Sequence, residues 1–250
     1  DLKVPGHTAS QAFNTKQTGY ILVDQNGKRF INEKQIEHHA GILAVNYFDS
    51  YEMKYPRIPC YAIFDANSKE DGAFAPSYGS GWLRHREKWN WSRSNDKEIE
   101  AGIVKVGQNI QELAEKIGVD AKNLQATIGQ WNSDLKGPEK KDSLFGRTLE
   151  GHVGQVWPHG ASKKQSSPLD KPPYYAIELF PAILNTQGGP RHNSKSQVLN
   201  PFGQPIPRLY VAGELGSFWG FIYQGRGNNA EALIFGRIAG EEASKEKRWS

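Results

Sequence analysis

Cysteine and methionine are nearly missing from this chain of 250 residues, with Cys60 and Met53 the only examples. One thiol excludes an intrachain disulfide framework, and buried packing is the expected job of Cys60. Because the chain opens on Asp1 and its one methionine stands at position 53, a fragment, a processed chain or a trimmed product is expected. No apolar run approaches the roughly 20 residues that span a bilayer, and no secretory signal pattern is present. The expected location is the cytoplasm, or outside it if a leader was removed. Lys and Arg number 31 against 27 Asp and Glu, a net charge of +4. No basic block is dense enough to argue for nucleic acid, so neither nucleic acid nor membrane is an expected partner. No metal site is expected. Also lacking is a Gly-x-Gly-x-x-Gly that opens a helix after an N-terminal strand, the pattern that grips a pyrophosphate in dinucleotide folds.

What is present describes a globular protein, with 37% hydrophobic and 23% charged residues. The most informative stretch lies near the end. Leu209-Tyr-Val-Ala-Gly-Glu214 runs four apolar or aromatic residues into a glycine and an acid, as a buried parallel strand does where a ligand meets its carboxyl end. Gly216, Gly220, Gly225 and Gly227 follow, where backbone can approach something flat or anionic. Asn228 and Asn229 then start a helix with Ala232, Leu233, Phe235, Ile238 and Ala239 as its apolar positions. Strand, glycine loop and helix N-terminus suit a phosphate-bearing cofactor. Spacing alone leaves an ordinary βα unit with a loose loop equally open.

On these residues the chain resembles the flavoprotein superfamily of soluble fumarate reductases, 3-ketosteroid dehydrogenases and tricarballylate dehydrogenase. The resemblance implies that Glu214 lies near the ribityl and phosphate part of FAD, and that the glycine loop and helix N-terminus cover the flavin's pyrimidine edge. Gly19-Tyr-Ile-Leu-Val-Asp24, the Gln25-Asn-Gly-Lys28 turn and Arg29-Phe-Ile-Asn-Glu33 read as a hairpin, a pattern similar to the family's at the departure of its substrate cap. Pro172-Pro-Tyr-Tyr-Ala and Thr186-Gln-Gly188-Gly189 resemble the stretch that passes along the flavin ring.

Two departures weaken the match to fumarate reductases. Where those carry an Arg-Asp pair after Asn-Glu, this chain has Glu37-His38, and Glu37 would repel a dicarboxylate. Where they place a substrate-binding histidine, this chain has Asn185, an uncharged donor. Tyr223-Gln-Gly-Arg226 is closer to the Tyr-Pro-Gly loops of the ketosteroid and tricarballylate enzymes, which implies that Tyr223 is a phenolic donor able to polarise a carbonyl. Arg226 is a candidate partner for an anion or a flavin carbonyl. A packed tyrosine beside a surface arginine is the plainer reading. His38 and His39 are candidate acids or bases, or simply exposed helix positions.

Between these motifs the spacing predicts a helix over 35–51, a buried strand Cys60–Asp65 and a strand Ile103–Val106. A helix from Asn109 closed by Gly118 and a second helix capped by Asp120 follow. The segment 71–95, with Trp82, Trp89 and Trp91 among basic residues, reads as a loop tied down by its own aromatics or a subunit contact, or else as a stacking surface.

The expected fold is α/β and α+β: the C-terminal portion of a glutathione-reductase-type FAD-binding domain, with an α+β substrate-capping domain. Residues 1–18 are expected as a remnant of the FAD domain or a linker, 19–170 as the cap, and 171–250 as the FAD-domain segment. Expected catalytic residues are Tyr223, Asn185 and Arg226. Expected cofactor contacts are Gly188, Gly189, Gly213, Glu214, Gly225, Gly227, Asn228, Asn229 and Ala230. The resemblance implies FAD as the cofactor and a small organic molecule as the substrate, with hydride moving between flavin N5 and a carbon–carbon bond, and an N-terminal flavoprotein segment outside this chain as an expected partner. The rival is a cofactor-free binding or assembly subunit that kept the cap fold.

Overall fold

The computed structural model describes residues 19–33, 41–75, 89, 91–149, 166–181, 186–219 and 227–247. The chain forms two compact units, Asp1–Ala182 and Ile183–Ser250. No helix among the described residues is long and apolar enough to cross a membrane.

The first unit is built on a four-stranded antiparallel sheet of β1 (Tyr20–Val23), β2 (Cys60–Asp65), β3 (Val104–Gly107) and β4 (Tyr174–Leu179), in the order β1-β2-β4-β3. Every residue of β2 is buried, so both faces of the sheet are covered. The period-2 alternation of a strand sorts its side chains. Ile21, Val23, Ile63 and Ala176 pack with Leu113, Leu124, Ile128 and Trp131 of α4 (Ile110–Ile117) and α5 (Ala121–Lys136). Leu22, Cys60, Ala62, Phe64 and Ile177 pack on the opposite side with Phe74, Trp91 and Ile103. Burial pushes the Cys60 thiol up to about 12, which leaves it a small apolar packing group.

The two helices start and stop where their end residues dictate. Asn109 takes the Glu112 N–H and Asp120 the Asn123 N–H, each satisfying an otherwise orphaned donor. Gly118 closes α4 at φ 70°, a conformation a side chain disfavours. Asp65 leaves β2 to cap α2 (Ala66–Glu70), and its second oxygen accepts the N–H groups of Asp170 and Lys171. It is a buried turn former.

Several expectations are corrected. Arg29–Glu33 does not return as a strand beyond one bridge, Val23 to Arg29. The Leu22 N–H, which a returning strand would take, donates to Glu33 Oε1 at 2.9 Å. Of the helix expected over 35–51, residues 34–40 lie outside the described residues, and α1 (Gly41–Val45) stops before Tyr47. Asp49 Oδ1 then draws the Tyr51 and Glu52 N–H groups into a turn. β4, which follows the expected 170/171 point, pairs with β2 and β3, and the first compact unit runs to Ala182. In the second unit β5 (Gln197–Leu199) and β6 (Pro205–Tyr210) form an antiparallel pair. Of the stretch expected as a buried parallel strand, Leu209 and Tyr210 end the antiparallel β6, and Val211 just beyond it is buried.

Two polar clusters hold the loops of the first unit. Glu33 accepts Arg29 Nη2 at 2.8 Å and Arg147 Nη1 at 2.9 Å, while Arg29 Nη1 sits 2.6 Å from Asp142 Oδ1 in an ion pair off the hydrogen-bond axis. Both guanidinium groups lie over the Trp131 ring. In the Trp-rich region, Asn95 accepts the Phe74 N–H and the Trp91 indole N–H, and Glu98 accepts the Trp89 indole N–H. Trp91 is buried and cannot stack on a nucleobase. Trp82 lies outside the described residues.

Candidate functional site

The glycine-rich segments singled out in the sequence meet inside the second unit. Gly188 N–H donates to the Glu214 carbonyl at 3.1 Å, and Gly216 N–H to the Gly188 carbonyl at 2.8 Å. Residues 188 and 215 thereby form a parallel bridge that lays 186–190 alongside 213–217. Side-chain bonds close the same loop. Gln187 Nε2 donates to Ser217 Oγ at 3.0 Å, and Asn228 Nδ2 donates to Glu214 Oε1.

The glycines are required for two different reasons. Gly216 has φ 87°, and a Cβ there would stand 2.9 Å from both the Pro190 carbonyl oxygen and Val211 Cγ1. Gly188 has φ 116°, yet its Cβ would meet nothing within 4 Å, so main chain there is open to a neighbour. Gly216→Ala is expected to cost about 1–3 kcal/mol, since backbone strain and overpacking act together. Chemical denaturation of the variant measures this.

Helix α6 (Gly227–Ser244) delivers the remaining groups. Its inward-facing side begins with polar residues, Asn228 (7% exposed) and Glu231 (2% exposed), and turns apolar only at the half-buried Phe235 and Ile238. Leu233, counted as part of an apolar face from the sequence, is 76% exposed. The reason is periodic: residues 228, 231, 235 and 238 follow the helical spacing on one face, and 233 does not. Glu231 Oε1 accepts the Phe218 N–H at 2.8 Å. Among the described residues, three buried acceptors in this region have no donor: Gln187 Oε1, Asn228 Oδ1 and Glu231 Oε2. Buried acceptors are ordinarily satisfied, so three in one small unit call for an explanation.

The structure brings together Gly188, Gly189, Gly213, Glu214, Gly227 and Asn228; Asn229 and Ala230 stand exposed in the first turn of α6. Tyr223, Asn185, Arg226 and Gly225 lie outside the described residues, as do Glu37, His38 and His39. The sequence reading missed Gln187 and Glu231. The available signal for Glu231 was an acid three residues after Asn228 on the same helix face.

A group that carries hydroxyl or N–H donors fits these residues. Open backbone at Gly188 admits a close approach, the positive end of α6 favours electron-rich atoms, and the three unpaired acceptors await donors. FAD offers each of these complements.

Comparison with known proteins agrees. The family model described as FAD binding domain matches residues 4–230. The NADH:fumarate oxidoreductase of Klebsiella pneumoniae (strain 342) is 29% identical over 233 residues, which cover 92% of this chain and 20% of that protein. The 4-oxocyclohex-2-ene-1-carboxylate 5-dehydrogenase of Sinomonas cyclohexanicum is 30% identical over 231 residues, 91% of this chain and 36% of that protein. Among solved structures, the 3-ketosteroid Δ1-dehydrogenase from Sterolibacterium denitrificans matches with a TM-score of 0.71 at 24% identity, covering 98% of this chain and 42% of that one. The chain thus spans between a fifth and somewhat over two fifths of the length of these relatives.

Proposed function

The chain belongs to the FAD binding domain family, and from that membership we propose that it is part of an FAD-dependent oxidoreductase acting on a carbon–carbon bond of a small organic substrate of enone or carboxylate type. The observation that carries the proposal is the joined Gly188–Gly189 and Glu214 loop at the start of α6, with buried acceptors left for a ligand. Relatives that are named for fumarate and for an oxocyclohexene carboxylate support the reaction class.

In this reading Glu214, Asn228 and the Gly188, Gly189, Gly213 and Gly227 backbone hold FAD, with Gly225, Asn229 and Ala230 beside them. When bound, FAD supplies two-electron transfer at N5. The chain's own work is to position and polarise. Tyr223 donates its phenolic hydrogen to a substrate carbonyl oxygen as charge builds there, and Asn185 and Arg226 orient the acceptor groups. The first unit serves as the substrate cap. Leu209, Leu233 and Ile234 are exposed on β6 and α6, and a dinucleotide-binding segment in the same or another polypeptide would cover them.

The test is to purify the protein at its natural full length and record its visible spectrum. A flavin band is expected. Reduced flavin is then titrated with a steroid enone, an unsaturated tricarboxylate and fumarate, each with a C=C to accept the hydride, with reoxidation by one of the first two expected. A colourless preparation that takes up no added FAD would overturn the proposal.

A further inference from the structure

The three unpaired acceptors need a donor-rich partner, and their chemistry narrows which part of a cofactor they face. Glu231 is the decisive one. Its carboxylate is 2% exposed, one oxygen is fixed by the Phe218 N–H at 2.8 Å, and the other has no donor. The remaining two are tied to the same loop. Gln187 holds Ser217, the residue before Phe218, through its amide nitrogen, and Asn228 holds Glu214 through its own, so each leaves its oxygen unused.

An ionised phosphate has no hydrogen to give these oxygens, and two carboxylates, Glu214 in the loop and Glu231 on the first turns of α6, repel it despite the helix end. The edge of a flavin ring has one N–H. A polyol chain has several hydroxyls, each a donor.

Resting on the flavin reading above, we propose that Glu231 is a ligand-contacting residue whose Oε2 accepts a hydrogen bond from a hydroxyl of the cofactor's polyol chain, with Gln187 Oε1 and Asn228 Oδ1 as the neighbouring acceptors. The pyrophosphate is then held elsewhere. The start of α6 reads hydroxyls, and Glu231 distinguishes a flavin that carries its side chain from a bare ring.

Glu231→Gln tests this without disturbing the loop. The amide keeps an oxygen for the Phe218 N–H and places an NH₂ where the unpaired Oε2 stood. Riboflavin, with ring and polyol but no phosphate, and lumiflavin, with the ring alone, are titrated into the flavin-free full-length protein and followed by quenching of flavin fluorescence. The wild type is expected to bind riboflavin more tightly than lumiflavin. The variant should lose about tenfold or more in riboflavin affinity, the scale of a hydrogen bond to a charged group, with lumiflavin affinity and the melting temperature of the flavin-free protein unchanged. Should Glu231→Gln fail to fold, Gln187→Met is expected to show the same selective loss, about threefold to tenfold. Unchanged riboflavin affinity would mean that Oε2 is protonated or bound to an internal water, and equal losses for both flavins would mean a role in loop shape alone. Either result overturns the proposal while leaving the flavin reading intact. A wild type that binds neither flavin removes both.

Discussion

Glu33→Ala is expected to destabilise the first unit by about 3–5 kcal/mol, the cost of breaking a buried ion pair from one side. Glu33 is the anion between two guanidiniums, Arg29 at 2.8 Å and Arg147 at 2.9 Å, with all three side chains 1% exposed. Its removal takes a carboxylate away from Arg147 Nη1 and from Arg29 Nη2, whose Nη1 still lies 2.6 Å from Asp142 Oδ1. The Leu22 N–H at the edge of β1 also loses its acceptor. Urea unfolding monitored by tryptophan fluorescence measures the loss, since Trp131 lies against both arginines. Arg147→Met in the same background should recover part of it, because one of the two buried positive charges that Glu33 balances goes too. A loss below about 1 kcal/mol would put this network on a level with an exposed surface pair.

The same cluster sets an acid limit. Burial on its own would raise the Glu33 carboxyl, but the Arg147 and Arg29 charges and the Leu22 N–H outweigh it and hold the group below its ordinary 4.5. A carboxyl depressed by folding stabilises fully above its unfolded value and loses that contribution as pH falls through the folded one. Stability is therefore expected to fall as pH drops below 4.5, and the fall should be shallower in Glu33→Gln, which has no proton to take up there.

Local signals were legible in the sequence and distant ones were not. Asn109, Gly118 and Asp120 announce helix ends because the capping bond is made within three or four residues. Cys60–Asp65 reads as a buried strand because six consecutive residues face cores on both sides of the sheet. The hairpin expected over 19–33 closes its turn but stops at the Val23–Arg29 bridge for a reason 114 residues away in the chain: Glu33 turns inward to meet Arg147. No spacing rule reports that partner. The place of β4 in the first unit's sheet was out of reach for the same reason, since it rests on pairing with β2 and β3, strands far earlier in the chain. In the site, the glycines of 188–189 and 213–216 were legible as punctuation, and the structure joins them through backbone bonds. Glu231 was passed over because hydrophobic periodicity counts apolar residues, whereas the buried face of α6 opens with an amide and an acid.

If the proposed function holds, Tyr223→Phe in the full-length protein is expected to lower kcat by about 10²–10³-fold, the usual cost of deleting one donor aimed at a developing oxyanion. Tyr223 lies four residues ahead of Gly227, where α6 begins. Four residues of chain reach at most about 14 Å, which bounds the separation of its Cα from the start of α6. Phenylalanine keeps the ring and its packing and removes only the hydroxyl, so flavin affinity and melting temperature should hold. If the hydroxyl acts chiefly as charge builds on a substrate carbonyl, kcat and kcat/KM fall together and KM stays near its wild-type value. A rise in KM at constant kcat would instead assign Tyr223 to ground-state binding, and unchanged kinetics with an enone and a carboxylate substrate alike would remove it from the chemistry. Arg226→Lys supplies the contrast. It keeps the positive charge but loses the planar pair of donors, so an orienting role predicts a smaller drop in kcat with a larger rise in KM.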